Sequence, residues 1–167
     1  MQSHSRNFRN GSAAALLFLL AIATPALSDD AATRALVERF YAAFNTQDVG
    51  ALRSVLADDY VVHGTSPSLP EGDADTLGQA FQGFAAGVPD VTYEVLAIYI
   101  ADDIATVRGT VSGIHEGPLF GIPASGARVE FGAIDVHRID GGRIVESWHS
   151  EDFATMLRQI GALPAGN

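Results

Sequence analysis

The chain has 167 residues with twenty acidic and ten basic side chains, all of the latter arginine, for a formal net charge of −10, and it has no Cys. The absence of Cys excludes disulfides, thiol catalysis and thiolate metal sites, and the absence of Lys excludes a Schiff base on this protein. Its arginines are scattered, so no basic stripe is available to displace counterions from nucleic acid, and that partner class is not expected.

Residues 1–28 read as a secretory leader. Arg6 and Arg9 give a positive start without an acid, Ala13 to Ala23 is a Leu-rich apolar run, and Pro25-Ala26-Leu27-Ser28 places small residues at the cleavage-determining positions. Cleavage is expected after Ser28. The run is shorter than the roughly 20 apolar residues a membrane span needs, so no stable span is expected after cleavage. Residues 29–167 then form one domain, periplasmic or secreted, in which eight arginines face twenty acids for a net −12. Such a charge favours solubility.

After an acidic cap at Asp29-Asp30, the spacing of Leu36, Phe40 and Phe44, flanked by Val37 and Tyr41, predicts a helix to about Asn45. Asp48 caps a shorter segment in which Leu52, Val55 and Leu56 share a face. Asp58-Asp59 ends it before a strand at Tyr60-Val61-Val62-His63. Gly64 to Asp73 is a loop, and a third helix follows from about Asp75 to Gly87 with Leu77, Phe81 and Phe84 on its apolar face. The period then changes to two. Strands are expected over 92–100, 104–115, 128–139 and 143–149, with turn chemistry at Asp102-Asp103 and Asp140-Gly141-Gly142 that pairs neighbours antiparallel. The Gly- and Pro-rich stretch Glu116 to Gly126 is longer than a hairpin turn and is a candidate lid. A short helix from about Phe153 to Ile160 closes the chain. This order predicts an α+β fold in which a curved antiparallel sheet wraps the N-terminal helices and leaves a pocket at the open end of a cone.

The fourth predicted strand carries the chemistry. Val129, Phe131, Ala133 and Ile139 share one face with Asp135 and His137, which places a carboxylate and an imidazole in an apolar row. The alternative is that this end of the face is solvated. An even-numbered turn would bring Glu146 and Trp148 to the same face, and an odd one Val145, Ser147 and His149; the first register is the one expected. Asp152 continues that alternation, but it also precedes the last helix as an N-cap would. His115 and His63 end strands beside the two long loops, where functional groups concentrate. No two histidines lie one helical turn apart and no His-Glu-X-X-His segment occurs, so no native metal is expected.

Several segments together resemble the SnoaL-like polyketide cyclases, also called ester cyclases. They are Phe44-Asn45-Thr46-Gln47-Asp48, Asp58 to His63, Val88-Pro89-Asp90, Gly113 to Pro123, Asp135-Val136-His137-Arg138, Asp140 to Trp148, Asp152 and Gln159-Ile160-Gly161. The resemblance covers nearly all of residues 29–167. It implies an NTF2-like cone and, for true cyclases, an intramolecular aldol closure without metal or cofactor by an acidic acid/base residue, whose best match is Asp152. It further implies His115 and His137 as donors to an enolate oxygen, and Asp135 as the residue that orients a histidine or as the alternative base. His63, Phe131, Trp148, Phe120 and Glu146 are expected to shape the substrate pocket. Ala124-Ser125 stands where the family commonly has Pro-Thr, and His137 where an aromatic is usual, so the substrate is expected to differ from a polycyclic polyketide. Three functions follow as alternatives: a cofactor-independent cyclase, isomerase or lyase on a small enolisable carbonyl compound; a periplasmic binding protein for a small apolar ligand; and a structural homodimer module built on the exposed sheet face.

Overall fold

The computed structural model describes residues 27–64 and 69–164, and side chains from Asp30 onward. Of the expected leader, residues 1–28, positions 1–26 therefore lie outside the described residues. The elements are α1 (Leu27–Asn45), α2 (Val49–Val55), β1 (Leu56–His63), α3 (Ala74–Gly87), β2 (Thr92–Ala101), β3 (Ile104–Ile114), β4 (Arg128–Asp140), β5 (Arg143–Glu151) and α4 (Phe153–Gln159). Two boundaries differ from expectation. Asp29 and Asp30 lie inside the first turn of α1 instead of ahead of it, and β1 begins at Leu56, four residues early, because Leu56 already pairs with Ile144 of β5.

The strands form one unclosed sheet in the order β1-β5-β4-β3-β2. β2 to β5 are an antiparallel meander, while β1 joins β5 in parallel through Val61, Val62 and His63. The meander is held in register by its turns. Gly141 (φ 55°) and Gly142 (φ 75°) both take the left-handed conformation that a two-residue hairpin turn demands and that matches the strands' own twist. Extra residues then bend the sheet: Leu96 in β2 and Val145 in β5 have no partner opposite, and such bulges increase local twist.

The bent sheet closes over α1. Leu36, Val37, Phe40 and Tyr41 of that helix are buried with Val107 and Val111 of β3 and with Val129, Phe131 and Ala133 of β4, forming the core. Polar side chains fix the end of α1. Asn45 donates to the Tyr93 carbonyl (3.1 Å) and accepts from the Tyr93 N–H (2.6 Å), as a neighbouring strand would, and Gln47 donates to the Pro89 carbonyl (2.8 Å). Asp90 in turn accepts from the Ile114 N–H at 2.7 Å. The Phe44 to Asp48 and Val88 to Asp90 segments are thus staples between helix and sheet.

Candidate active site

The inward row of β4 is as expected: Val129, Phe131, Ala133, Asp135 and His137 are all buried, and Ile134 of the other face is half exposed. β5 corrects the expected register. The turn has two residues, with Asp140 opposite Arg143 and Ile139 opposite Ile144, as an even turn requires, but the bulge at Val145 then shifts the pairing by one. Ser147 therefore lies opposite His137 and His149 opposite Asp135, while Glu146 and Trp148 turn to the outer face. There Trp148 stacks on His63 at 5.1 Å, and Glu146 accepts from His63 (2.7 Å) and Arg138 (2.8 Å).

Asp135 is the centre of the inward group. Its Oδ2 accepts from the Tyr41 hydroxyl at 2.7 Å and its Oδ1 from His149 Nδ1 at 2.7 Å. His137 Nε2 lies 3.1 Å from the Tyr41 oxygen, and its Nδ1 lies 2.7 Å from Ser147 Oγ. Burial alone would raise the Asp135 carboxyl; the charge and hydrogen bond of His149, then His137 and the Tyr41 hydroxyl, outweigh it and hold the group below its ordinary value. Burial likewise opposes a charge on His149, but Asp135, with help from Glu151, raises that imidazole above its ordinary value. His137 is different. Burial dominates there, Asp135 offsets it only in part, and the imidazole is pushed down to about 4, so it is neutral in the fold. Burial and the nearby Asp135 charge also keep the Tyr41 and Tyr93 phenols protonated far beyond the usual range.

This group meets a narrow cavity of about 50 Å³. Phe40, Phe44, Phe81, Phe84 and Phe131 with Leu69, Ala80 and Val111 make its apolar wall, and Tyr41, Tyr93, Asp135, His149 and Glu151 its polar side. Among the described residues no arginine borders it. Gly109 makes room for the Tyr93 ring, since a Cβ at that position would lie 2.0 Å from Tyr93 Cε1. The Tyr93 hydroxyl is buried on the cavity's polar side close to Asp135 and Tyr41, and among the described residues no partner lies at full hydrogen-bonding geometry.

The match to one family decides the class: residues 35–160 fit the model of the SnoaL-like polyketide cyclases. The chain belongs to the SnoaL-like polyketide cyclase family. No functionally curated protein matches it. Among solved structures it is similar to TsrD from Streptomyces laurentii, at 32% identity over 80% of this chain and 97% of that one (TM-score 0.70). It is also similar to IdmH from Streptomyces antibioticus, a candidate polyketide cyclase, at 30% identity over 77% and 97% of the two chains (TM-score 0.70). AclR from Streptomyces galilaeus, a candidate hydroxylase, matches at 26% identity over 82% and 85% (TM-score 0.74). The four described helices and the curved, unclosed sheet are the NTF2-like α+β fold of these SnoaL-like neighbours.

Of the residues expected in the site, Phe131 and Asp135 border the cavity and His137 stands behind it through Tyr41. The others are elsewhere. Asp152 is exposed and caps α4, accepting from the Thr155 N–H (3.0 Å) and hydroxyl (2.7 Å), and these bonds hold its carboxyl below its ordinary value. This corrects its expected place in the pocket: the N-cap alternative is the one the backbone adopts. His115 is fully buried but anchors the Glu116 to Gly126 loop, its Nδ1 accepting from the Ser125 N–H at 3.2 Å. That loop is pinned to the end of α3, where Gly87 O accepts from both Glu116 N (3.0 Å) and Gly117 N (2.9 Å). Phe120 sits at its tip against Phe153, with ring centres 5.1 Å apart. His63, Trp148 and Glu146 are on the outer face, so they do not shape this cavity. The sequence reading missed Tyr41, Tyr93, His149 and Glu151. His149 was reachable through the odd register; Tyr41 reads on its helix only as an apolar flank.

Among the described residues no three His, Cys, Asp or Glu side chains are grouped to hold a metal, and no helix is long and apolar enough to cross a membrane.

Proposed function

We propose that this SnoaL-like protein is a cofactor-independent acid/base enzyme acting on a small, uncharged, enolisable carbonyl compound. The observation that carries the reading is the Asp135–His149 pair, 2.7 Å long, on the wall of an apolar cavity. An imidazole whose Nδ1–H is held by a buried carboxylate exchanges protons at Nε2, and a raised pKa brings that exchange toward neutral pH. In this reading neutral His149 removes the proton next to the carbonyl and later returns it. Asp135 steadies the imidazolium formed in between. The Tyr93 hydroxyl, buried beside the cavity, donates to the enolate oxygen. The cavity selects by charge and size. Asp135 and Glu151 oppose a carboxylate, no arginine among the described residues receives one, and the narrow aromatic wall suits a small compound better than a polycyclic one.

Export belongs to the same proposal and rests on the leader pattern from Arg6 to Ser28. N-terminal sequencing of the protein from the native periplasm or medium would read from Asp29 if it holds, and from Met1 if it does not.

The enzymatic reading is tested with a small uncharged β-dicarbonyl compound and its carboxylate-bearing counterpart, followed by NMR with the protein and with Asp135→Asn. Conversion of the uncharged compound by the wild type alone is expected. Retention of the unchanged compound, equal in both proteins, would identify a binding protein instead, and preference for the carboxylate would contradict the charge argument.

A further inference from the structure

A chain of hydrogen bonds runs behind the cavity, and its direction follows proton by proton. An ionised carboxylate only accepts, so the single Tyr41 hydroxyl proton lies in the 2.7 Å bond to Asp135 Oδ2, and His149 Nδ1 carries the proton in the 2.7 Å bond to Oδ1. With its proton committed, the Tyr41 oxygen can only accept from His137 Nε2, 3.1 Å away, which must therefore bear hydrogen. His137 is completely buried without a carboxylate at hydrogen-bond distance, and a neutral imidazole protonated at Nε2 has a bare Nδ1. That atom accepts from the Ser147 hydroxyl at 2.7 Å. From Ser147 to Asp135 every proton points the same way.

We propose that Ser147 and His137 are positioning residues: acting through Tyr41, they hold Asp135 as an anion turned toward His149 and so leave His149 Nε2 as the nitrogen that exchanges protons. The inference rests on the acid/base reading of the cavity. Neither residue borders the cavity, so neither touches a ligand there. A purely space-filling role would be met by apolar side chains, with no polar group left to satisfy. The other groups facing this chain are Tyr60 from β1, Tyr93 from β2 and Glu151 at the end of β5. The two phenols are kept protonated by burial and by Asp135, and Glu151 is a further charge beside His149 among the described residues.

The test is imidazole ¹⁵N–¹H correlation spectroscopy on the ligand-free full chain from about pH 5 to pH 8, the range in which histidines titrate. His137 is expected to stay neutral with Nε2 protonated, while His149 keeps its Nδ1 proton and titrates at Nε2. In Tyr41→Phe the acceptor for the His137 Nε2–H is gone, and His137 is expected to change to the Nδ1-protonated form, now donating to Ser147. A wild-type His137 protonated at Nδ1, or a tautomer unmoved by Tyr41→Phe, would overturn the proposal. Should Tyr41→Phe fail to fold, the wild-type tautomer decides alone. No substrate enters these spectra, so the expected tautomers in a protein that converts nothing would count against the enzymatic reading and leave the hydrogen-bond direction standing.

Discussion

The sheet carries two imidazole–carboxylate pairs of the same length on opposite faces: His149–Asp135 inside and His63–Glu146 outside, each 2.7 Å. Their surroundings separate them. The inner side chains are 8% and 3% exposed and the outer ones 31% and 23%, so water screens the outer pair while the inner one is shielded from bulk solvent at the cavity wall. Inside, Tyr41, His137 and Ser147 continue the network; outside, the Arg138 guanidinium is a further partner of Glu146. Residue type and distance alone therefore do not mark a site. The same two groups make a surface contact on one side and, on the other, the buried pair to which the proposed function assigns the acid/base work.

Substitutions should reproduce that contrast. Asp135→Ala removes the acceptor of two buried donors and the counterion of His149, and is expected to cost about 3–5 kcal/mol of stability together with all turnover. Denaturant titration beside an activity assay checks both. The pH dependence of stability comes next. His137 has a folded pKa depressed from about 6.5 to about 4, so its contribution is complete above pH 6.5 and is lost as the pH falls toward 4, a loss of about 3 kcal/mol. His149 is raised, so its contribution is complete below its unfolded value of about 6.5 and is lost as the pH rises through the folded pKa. Stability should therefore peak near pH 6.5, and His149→Gln should flatten the alkaline limb and, because His149 holds the Asp135 carboxyl down, also reduce the Asp135 contribution on the acid side. Asp135, which is lowered, adds a further loss below its ordinary value near 3.8.

Smaller effects test the outer layers. Ser147→Ala removes one hydrogen bond behind the site and is expected to lower kcat by about tenfold or less with KM unchanged. Asp152→Ala should lower the melting temperature slightly through loss of the α4 cap and leave turnover intact. Glu146→Gln should change neither measurably. Activity lost in Glu146→Gln and kept in Asp135→Ala would invert the comparison between the two faces.

The fold was legible because period-two strands, glycine turns and capped helices are written locally, and the inner row of β4 was legible because nothing interrupts that strand. β5 was not. Its two-residue turn pointed Glu146 and Trp148 inward, and the bulge at Val145, which no residue type announces, reversed every side chain beyond it. Asp152 offered two readings of one pattern, and only the placement of α4 on the surface separates them. Tyr41 lies 94 residues from Asp135 along the chain, so its hydroxyl contact exists only after the sheet has closed over α1. The segments that carried the family resemblance divide in the same way: Asn45, Gln47 and Asp90 hold the cone together, and Asp135 and His137 equip it.

The central claim is that the inner pair moves protons on a ligand in the cavity. The most direct measurement is deuterium exchange from D₂O into the acidic C–H of a small uncharged β-dicarbonyl compound, compared among the wild type, His149→Gln and Asp152→Asn. Accelerated exchange by the wild type and Asp152→Asn, with none by His149→Gln, is the predicted result. Exchange that survives His149→Gln and disappears in Asp152→Asn would contradict it.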